Sequence, residues 1–312
     1  MKRCLYCYEP LTEKEVDFHG RCCKKIFGQS IPPELPYTEN QMEELALQVV
    51  KSQTTLTGVQ AKLSLELAPS EKGEAKRFTI VGLWGGYILK PPTKKFSQLP
   101  EVEDVTMHLG AIAKIKMVPH SLIRLKSGNL AYITKRIDRI KGQKLLMEDM
   151  CQLTERMTEN KYHGSYEQIA RMLLKYSSNP GLDLVNFFEQ VLFSFLTGNA
   201  DMHLKNFSII KTKEQGYILS PAYDMVATAI VNPADDEDLA LTLNAKKKKI
   251  SRKDFILVFN SFKLDPKQQE HIFNKMLKAK EKWMLCIDVS FLSDECKAAF
   301  KQLIINRFER IS

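Results

Sequence analysis

The sequence predicts an α+β protein with two lobes, a small strand-rich N-terminal lobe and a larger helical C-terminal lobe. From residue 55 to about 136, short apolar runs of strand character surround a single helical segment. From about residue 145 onward, apolar residues recur at helical spacing in several longer segments. A chain of 312 residues is long enough to bury a sizeable core and to form two such lobes.

The predicted elements divide the chain into three parts. Residues 1–30 form a Cys/His-rich segment, residues 31–144 the small lobe and residues 145–312 the helical lobe. Within residues 31–144, a first helix is predicted from Met42 to Val50, and one helix, Glu101 to Ile115, lies among the strand-like runs. The helices expected in the larger lobe are Tyr166 to Tyr176, Leu184 to Leu196, Phe255 to Phe262, Gln268 to Trp283 and Glu295 to Phe308.

Three polar residues near the middle of the chain have an informative spacing. Four residues separate Asp201 from Asn206, and Asp224 follows two short apolar runs, Phe207 to Ile210 and Tyr217 to Leu219. The polar stretch between these runs predicts a β-hairpin, which would bring Asn206 and Asp224 close together. The alternative is that Asp201 caps a local turn and that Asp224 lies in another one.

This acid, amide and second acid are the groups that phosphoryl transfer requires. The reaction needs a carboxylate that orients the acceptor hydroxyl and oxygen ligands that hold Mg²⁺ on the phosphates. Asp201 fits the first role, whereas Asn206 and Asp224 offer the oxygen ligands that Mg²⁺ prefers. The pattern is that of a kinase active site.

A cation for the nucleotide phosphates is expected upstream on a strand, and Lys90 is the candidate. It ends the apolar run that begins at Tyr87 and precedes two prolines, so its stem could cross the core while its ammonium reaches a nucleotide. Kinases hold this lysine with a helix glutamate, for which Glu103 is the first choice and Glu101 the rival. The alternative is a solvated lysine at a strand end.

The N-terminal segment carries a pattern typical of a zinc knuckle. Cys4 and Cys7 form Cys-x₂-Cys, and His19 and Cys22 form His-x₂-Cys, with eleven residues between the two pairs. Four such ligands suit tetrahedral Zn²⁺, with Cys23 as a substitute for Cys22. The alternatives are core cysteines or a redox pair.

A resemblance to a known family rests on several ordered blocks. The chain resembles HipA-family serine/threonine kinases, the toxins of bacterial toxin–antitoxin systems, in a short, HipT-like form. The matching blocks are Thr57-Gly58-Val59-Gln60-Ala61-Lys62, Ile88 to Pro91, Glu103, Lys135 to Arg139, Glu148 to Gln152, the loop around Asp201, Tyr223-Asp224 and Leu243 to Ala245.

The resemblance implies roles for these residues. Asp201 would be the catalytic base, with ATP and Mg²⁺ as cofactors. Asn206 and Asp224 would bind the metal, and Lys90 would contact the phosphates. The nucleotide site would further include Thr57, Gly58, Val59, Gln60, Ala61, Lys62, Glu103, Lys135, Arg136, Ile137, His203, Lys205 and Tyr223.

The chain departs from the family pattern at two points. Thr55 and Thr57 stand in the phosphate loop where the family often carries a self-phosphorylated serine, so both are candidate autophosphorylation sites. Lys135 stands where the family's linker commonly has glutamate, so only backbone contacts of Lys135 to Ile137 with adenine are implied.

The resemblance also implies partners. The expected protein substrate is an aminoacyl-tRNA synthetase, and the expected antitoxin is a HipB-like helix-turn-helix protein. Only about fifty residues precede Thr55, which suggests a three-gene system in which a small HipS-like protein supplies a missing segment. Two other functions remain open: a catalytically silent module that binds a DNA-bound antitoxin, and a small-molecule kinase.

Charge and composition indicate which partners and which cellular location to expect. The net charge of +9 favours acidic partners, and the run from Lys246 to Lys249 suggests either DNA contact within the antitoxin complex or a solvated loop. Seven cysteines, no secretory leader and no membrane-length apolar run predict a soluble cytoplasmic protein. The remaining histidines, His108, His120, His163 and His271, lie outside the predicted ligand sets and are interpreted as ordinary.

Overall fold

The computed structural model describes residues 2–42, 44–45, 62–68, 75–81, 85–140 and 143–312. The chain divides into two compact units. Unit 1 comprises Met1–Asp104, Val118–Gly142 and Val289–Phe291, and unit 2 comprises Val105–Met117, Gln143–Asp288 and Leu292–Ser312.

Unit 1 is built on a five-stranded antiparallel sheet with strand order β2-β1-β3-β5-β4. Its core joins the sheet to the N-terminal segment, because Cys4, Leu5 and Phe27 pack in one cluster with Leu89 and Ile133. The elements are α1 Gly20–Phe27, β1 Leu63–Leu67, β2 Phe78–Val81, β3 Tyr87–Lys90, β4 His120–Arg124, β5 Leu130–Lys135 and the short β6 Arg139–Ile140.

Helix α2 spans Leu99–Ile112, so its first turns belong to unit 1 and its later turns to unit 2. The predicted helix over Glu101 to Ile115 is therefore present but ends three residues earlier. The reason is visible at Lys114, which has a left-handed conformation (φ 58°) that an α-helix does not tolerate.

Unit 2 is mainly helical and carries a second antiparallel sheet of order β10-β9-β8. Its elements are β7 Gln143–Lys144, β8 Met147–Asp149, α3 Met150–Leu153, α4 Tyr166–Tyr176, α5 Pro180–Thr197, β9 Ser208–Thr212, β10 Gly216–Leu219, α6 Thr228–Val231, α7 Arg252–Ser261, α8 Pro266–Val289 and α9 Asp294–Glu309. All five helices predicted for this lobe are present.

Helix α5 is the centre of the unit 2 core. Its residues are mostly apolar and almost all buried from Leu184 onward, which is typical of a helix surrounded by others. Aromatic pairs join it to α7 and α8: Phe188 lies 5.1 Å from Phe259, and Phe193 lies 5.5 Å from Trp283, as ring centroids. The loop that follows α5 therefore starts from a rigid support. Among the described residues, no helix has both the length and the apolar character needed to cross a bilayer.

Candidate functional site

The loop after helix α5 carries the first candidate residue, Asp201. Gly198 ends the helix in the left-handed conformation (φ 67°), which glycine adopts at little steric cost. The N–H of Ala200 donates to the Thr228 hydroxyl (2.8 Å), and the N–H of Asp201 donates to Asn199 Oδ1 (3.1 Å). These bonds fix the backbone on which the Asp201 side chain stands.

The Asp201 carboxylate is 41% exposed and receives a hydrogen bond from another part of unit 2. The Tyr162 hydroxyl donates to Asp201 Oδ1, and His203 Nε2 lies 4.0 Å from the same oxygen. Burial, followed by the charge of Asp201, raises the pKa of Tyr162, so the phenol remains a donor. Tyr162 was not among the predicted site residues, because it lies 39 positions from Asp201 and belongs to no motif.

Asn206 ends a short 3₁₀ turn, Leu204–Asn206, directly after this loop. Its Nδ2 donates to the backbone carbonyl of Asp201 (2.8 Å), and the side chain is buried. Because the amide nitrogen is used in this bond, Oδ1 is the side-chain atom that could bind a cation. The amide therefore ties the loop together and offers an oxygen ligand.

Asp224 follows the predicted hairpin, which is present as strands β9 and β10 with Ile210 opposite Ile218. Its backbone is left-handed (φ 58°), a conformation in which aspartate is enriched. Just before it, Tyr223 donates its hydroxyl hydrogen to the Lys205 carbonyl (3.0 Å). Lys205 adjoins Asn206, so this bond holds the segments of the two predicted metal ligands together.

Lys205 itself forms an ion pair with a residue outside the loop that carries Asp201. Its Nζ lies 2.7 Å from Asp149 Oδ2, and Asp149 caps helix α3 through a capping box with Gln152. The block Glu148 to Gln152 thus positions the loop lysine from strand β8. The Tyr223 hydroxyl is also hydrogen-bonded to the Ser208 hydroxyl, which connects the residue before Asp224 to the start of strand β9.

In unit 1, Lys90 ends strand β3 and is paired with Glu103 on helix α2. Nζ lies 2.5 Å from Glu103 Oε1, with side-chain exposures of 5% and 2%. The ammonium also lies 5.4 Å from the centroid of the Tyr132 ring. The rival Glu101 lies in a different environment, in which burial and then the charge of Asp104 raise the pKa of its carboxyl. The expected lysine–glutamate pair is formed with Glu103.

The predicted linker, Lys135 to Ile137, begins at the last residue of strand β5. The N–H of Lys135 donates to the Pro119 carbonyl and that of Arg136 to the Gly86 carbonyl, both at 2.9 Å. The Arg136 guanidinium binds Asp138 through two hydrogen bonds (2.9 and 2.8 Å). The backbone contact with adenine that the resemblance implies for this segment stays a prediction.

The phosphate-loop prediction lies mostly outside the described residues. This holds for Thr55, Thr57, Gly58, Val59, Gln60 and Ala61, so their proposed roles stay predictions. Lys62 is described; it is exposed and directly precedes strand β1.

The four predicted zinc ligands lie together in unit 1. The ligand atoms of Cys4, Cys7, His19 and Cys22 are all within 4.8 Å of one another. His19 Nδ1 lies 3.5 Å from Cys7 Sγ and 3.8 Å from Cys22 Sγ, while its Nε2 lies 3.1 Å from the Pro10 carbonyl. An outer hydrogen bond of this kind orients metal-binding histidines, and three sulfurs with one nitrogen suit tetrahedral Zn²⁺.

Two sequence interpretations change with the structure. His108 and His120 are not ordinary histidines, because their ring nitrogens and an Asp104 carboxylate oxygen all lie within 4.8 Å of one another. His120 is also buried, and its Nδ1 lies 2.8 Å from Asp104 Oδ1. The lysine run is largely neutralised, because three of its members pair with acids: Lys246 with Asp254, Lys247 with Glu237 and Lys248 with Asp236. This pairing weakens the case for DNA contact there.

The fold is that of kinase-like proteins. The structure of a Shewanella oneidensis HipA, HipB and operator DNA complex matches with a TM-score of 0.67 at 19% identity, covering 90% of this chain and 74% of the other. The Helicobacter pylori proinflammatory kinase CtkA matches with a TM-score of 0.55 at 17% identity, covering 79% and 93%.

Comparison of the sequence with family models and known proteins shows the family of this chain. A family model described as the HipA-like C-terminal domain matches residues 54–284, and the chain belongs to this family. A Haemophilus influenzae protein named "Putative kinase" is 29% identical over 212 residues, or 63% of this chain and 59% of its own length. "Putative kinase Y4dM" of Sinorhizobium fredii is 31% identical over 209 residues, or 63% and 50%. The chain thus spans about half the length of these curated relatives.

Proposed function

We propose that this chain is an ATP- and Mg²⁺-dependent serine/threonine protein kinase. The observation that carries the proposal is the Tyr223 to Lys205 hydrogen bond, which holds Asp224 and Asn206 at the two ends of one hairpin. These residues offer carboxylate and amide oxygens for Mg²⁺, while Asp201 in the same loop would orient the acceptor hydroxyl. In this proposal, residues 1–30 form the Cys/His segment, residues 31–144 the N-terminal kinase lobe and residues 145–312 the helical C-terminal kinase lobe.

Bound ATP with Mg²⁺ would supply the transferable phosphoryl group and neutralise its charge. The chain's own residues perform the remaining tasks. Lys90, oriented by Glu103, would contact a phosphate of the nucleotide, and Asp201 would accept the proton of the acceptor hydroxyl. The exposed edge of Asp201 is suited to a macromolecular acceptor that approaches from solvent.

A direct experiment tests this function against its alternatives. Purified protein is mixed with γ-labelled ATP and a bacterial lysate, and the products are separated into proteins and metabolites. We expect one or a few labelled protein bands. Labelled metabolites would favour a small-molecule kinase, and no ATP consumption would favour a silent module that binds an antitoxin.

We further propose a place in a type II toxin–antitoxin system in the cytoplasm. The fold match to a HipA solved with HipB and operator DNA supports a HipB-like antitoxin as partner, with or without a small HipS-like protein. By the family resemblance, the substrate is an aminoacyl-tRNA synthetase, whose phosphorylation would arrest translation and growth. DNA contact would then occur only through the antitoxin complex.

The Cys/His cluster is proposed to hold one structural Zn²⁺. Its four donors fill a tetrahedral shell, and a closed shell stabilises a fold but leaves no open position for chemistry. Cys23 is buried next to the cluster but is not part of it, so Cys22 is the assigned ligand.

Removing the Lys90 to Glu103 pair should weaken nucleotide binding. Lys90→Met combined with Glu103→Gln avoids an unpaired buried charge, and we expect an ATP affinity reduced by about 10- to 100-fold, since a hydrogen bond to a charged group is lost. Lys126→Met, at an exposed lysine in the turn between β4 and β5, is the control. An unchanged affinity, measured by calorimetry, would contradict the role of Lys90.

Self-phosphorylation of the phosphate loop is the next prediction. After incubation with ATP and Mg²⁺, phosphopeptide mapping should find phosphate at Thr55 or Thr57. Thr55→Ala with Thr57→Ala should abolish this label, while Asp201→Asn should prevent it from forming. Phosphate confined to other residues would remove this route of self-regulation.

A further inference from the structure

The N-terminal segment is built into the same framework as the Lys90 strand. The N–H of Leu122 on β4 donates to the Leu5 carbonyl (3.3 Å), and the Ser121 hydroxyl donates to the same carbonyl (3.1 Å). Arg124, also on β4, pairs with Asp17 at 2.9 Å. The Cys/His cluster therefore lies in a segment attached to the sheet of unit 1.

Tyr8 extends from this cluster into the interior of unit 1. It directly follows Cys7, and its side chain is buried. Its hydroxyl donates to Asp104 Oδ2 at 2.6 Å, across 96 positions of sequence. The ring packs edge-on against Phe291 with centroids 5.3 Å apart. Tyr8 is thus a direct contact between the cysteine loop and helix α2.

The backbone of Tyr8 is held in an unfavourable conformation by its loop. Its φ of 63° is left-handed, which is rare and strained for a bulky residue. The N–H of Tyr8 donates to the Cys4 carbonyl, and the N–H of Cys4 donates to the Glu9 carbonyl, both at 2.9 Å. A metal bound by Cys4 and Cys7 would close this loop covalently and oppose its relaxation.

The acceptor of this bond adjoins the glutamate that holds Lys90. Asp104 is fully buried and is contacted by Tyr8 on one oxygen and by His120 on the other. Successive helix residues point about 100° apart, so Glu103 faces Lys90 while Asp104 faces Tyr8. A shift of Asp104 would therefore displace or rotate the turn that carries Glu103.

From these contacts we infer that Tyr8 is a positioning residue that couples metal occupancy of the Cys/His cluster to the Lys90 to Glu103 ion pair. Metal holds the loop, the loop holds the Tyr8 hydroxyl on Asp104, and Asp104 fixes the first turns of α2. The inference rests on the proposed function for its effect on ATP, and on the proposed Zn²⁺ for its input. The inference adds to the proposed function that a metal site distant in sequence controls the position of Lys90, the lysine proposed to contact the nucleotide.

Tyr8→Phe tests the coupling, since it removes the hydroxyl and keeps the ring on Phe291. We expect unchanged zinc content, an ATP affinity reduced about fivefold, and faster hydrogen exchange in peptides covering Leu99–Ile112. Chelation of zinc from the unsubstituted protein should produce the same two changes. Chelation of zinc from Tyr8→Phe should still lower the melting temperature of unit 1, but it should add little to the loss of ATP affinity, because the contact between the loop and α2 is already lost.

Tyr6→Phe is the matched control, because it removes a hydroxyl from the same loop between Cys4 and Cys7. It should leave ATP affinity and exchange unchanged. Equal effects of both variants would indicate general loop damage and overturn the inference. The inference would also be overturned by a Tyr8→Phe protein that behaves like the unsubstituted protein, or by one in which chelation lowers ATP affinity as much as it does in the unsubstituted protein.

Hydrogen exchange separates failure of this inference from failure of the proposed function. It reports on α2 without nucleotide, so a protein that binds no ATP would refute the kinase proposal while exchange still decides the coupling. Exchange in α2 that is insensitive to both chelation and added Zn²⁺ would overturn the coupling even if ATP binding is normal.

Discussion

Asp201→Asn is expected to reduce phosphate transfer by about a thousandfold, within the range for loss of a general base. Asparagine has nearly the same shape and can still accept the hydrogen bond from Tyr162, but it cannot take a proton from the acceptor hydroxyl. The Asn206 bond to the backbone of residue 201 does not involve the replaced atoms. Melting temperature and ATP affinity should therefore change little, while the initial rate of labelling falls.

Asp294→Asn provides the control for this experiment. Asp294 is an exposed carboxylate in the first turn of α9, and its loss should leave the rate unchanged. Transfer by Asp201→Asn at the unsubstituted rate would show that another group acts as the base. Loss of folding together with activity would be detected by the melting temperature, and Asp201→Glu would then be the variant to compare.

Removal of zinc is expected to produce the largest change in stability. A ligand that binds only the folded state stabilises it by about 4 kcal/mol when its free concentration is about 1,000 times Kd. The cluster shares its core with strands β1 to β5, so the effect should extend to unit 1 as a whole. Elemental analysis should find about one Zn per chain, and a chelator should lower the melting temperature of unit 1.

Cys7→Ser should lower both zinc content and melting temperature, because serine is a poor ligand for Zn²⁺. Cys296→Ser, on helix α9 and outside the cluster, should change neither by much. A protein that is purified without metal and whose melting temperature does not respond to added Zn²⁺ would rule out the structural zinc.

Local patterns were enough to predict much of the fold and part of the candidate site. The hairpin after Asn206 followed from two short apolar runs separated by a polar turn, and β9 and β10 are found there. The end of helix α5 followed from Gly198, whose left-handed backbone ends it. The Lys90 to Glu103 pair could be expected because both residues lie in recognisable elements, a strand and the first turns of a helix.

The contacts that were not predicted join distant parts of the sequence. Tyr8 meets Asp104 across 96 positions, and Tyr162 meets Asp201 across 39. The spacing of neither tyrosine predicts that its hydroxyl forms a functional hydrogen bond, since an aromatic residue is most often part of a core. His120 was misread for the same reason, because only the tertiary fold brings it to Asp104.

The phenol of Tyr162 has a consequence for the resting enzyme, on the proposed function. It occupies Oδ1 of Asp201, one of the two oxygens able to take a proton from an attacking group. A water molecule that approaches this oxygen competes with a donor that the chain holds in place at high effective concentration. On the proposed function, a protein acceptor that contacts the chain elsewhere would have the binding energy to displace this donor, so the phenol would favour transfer to protein over hydrolysis of ATP.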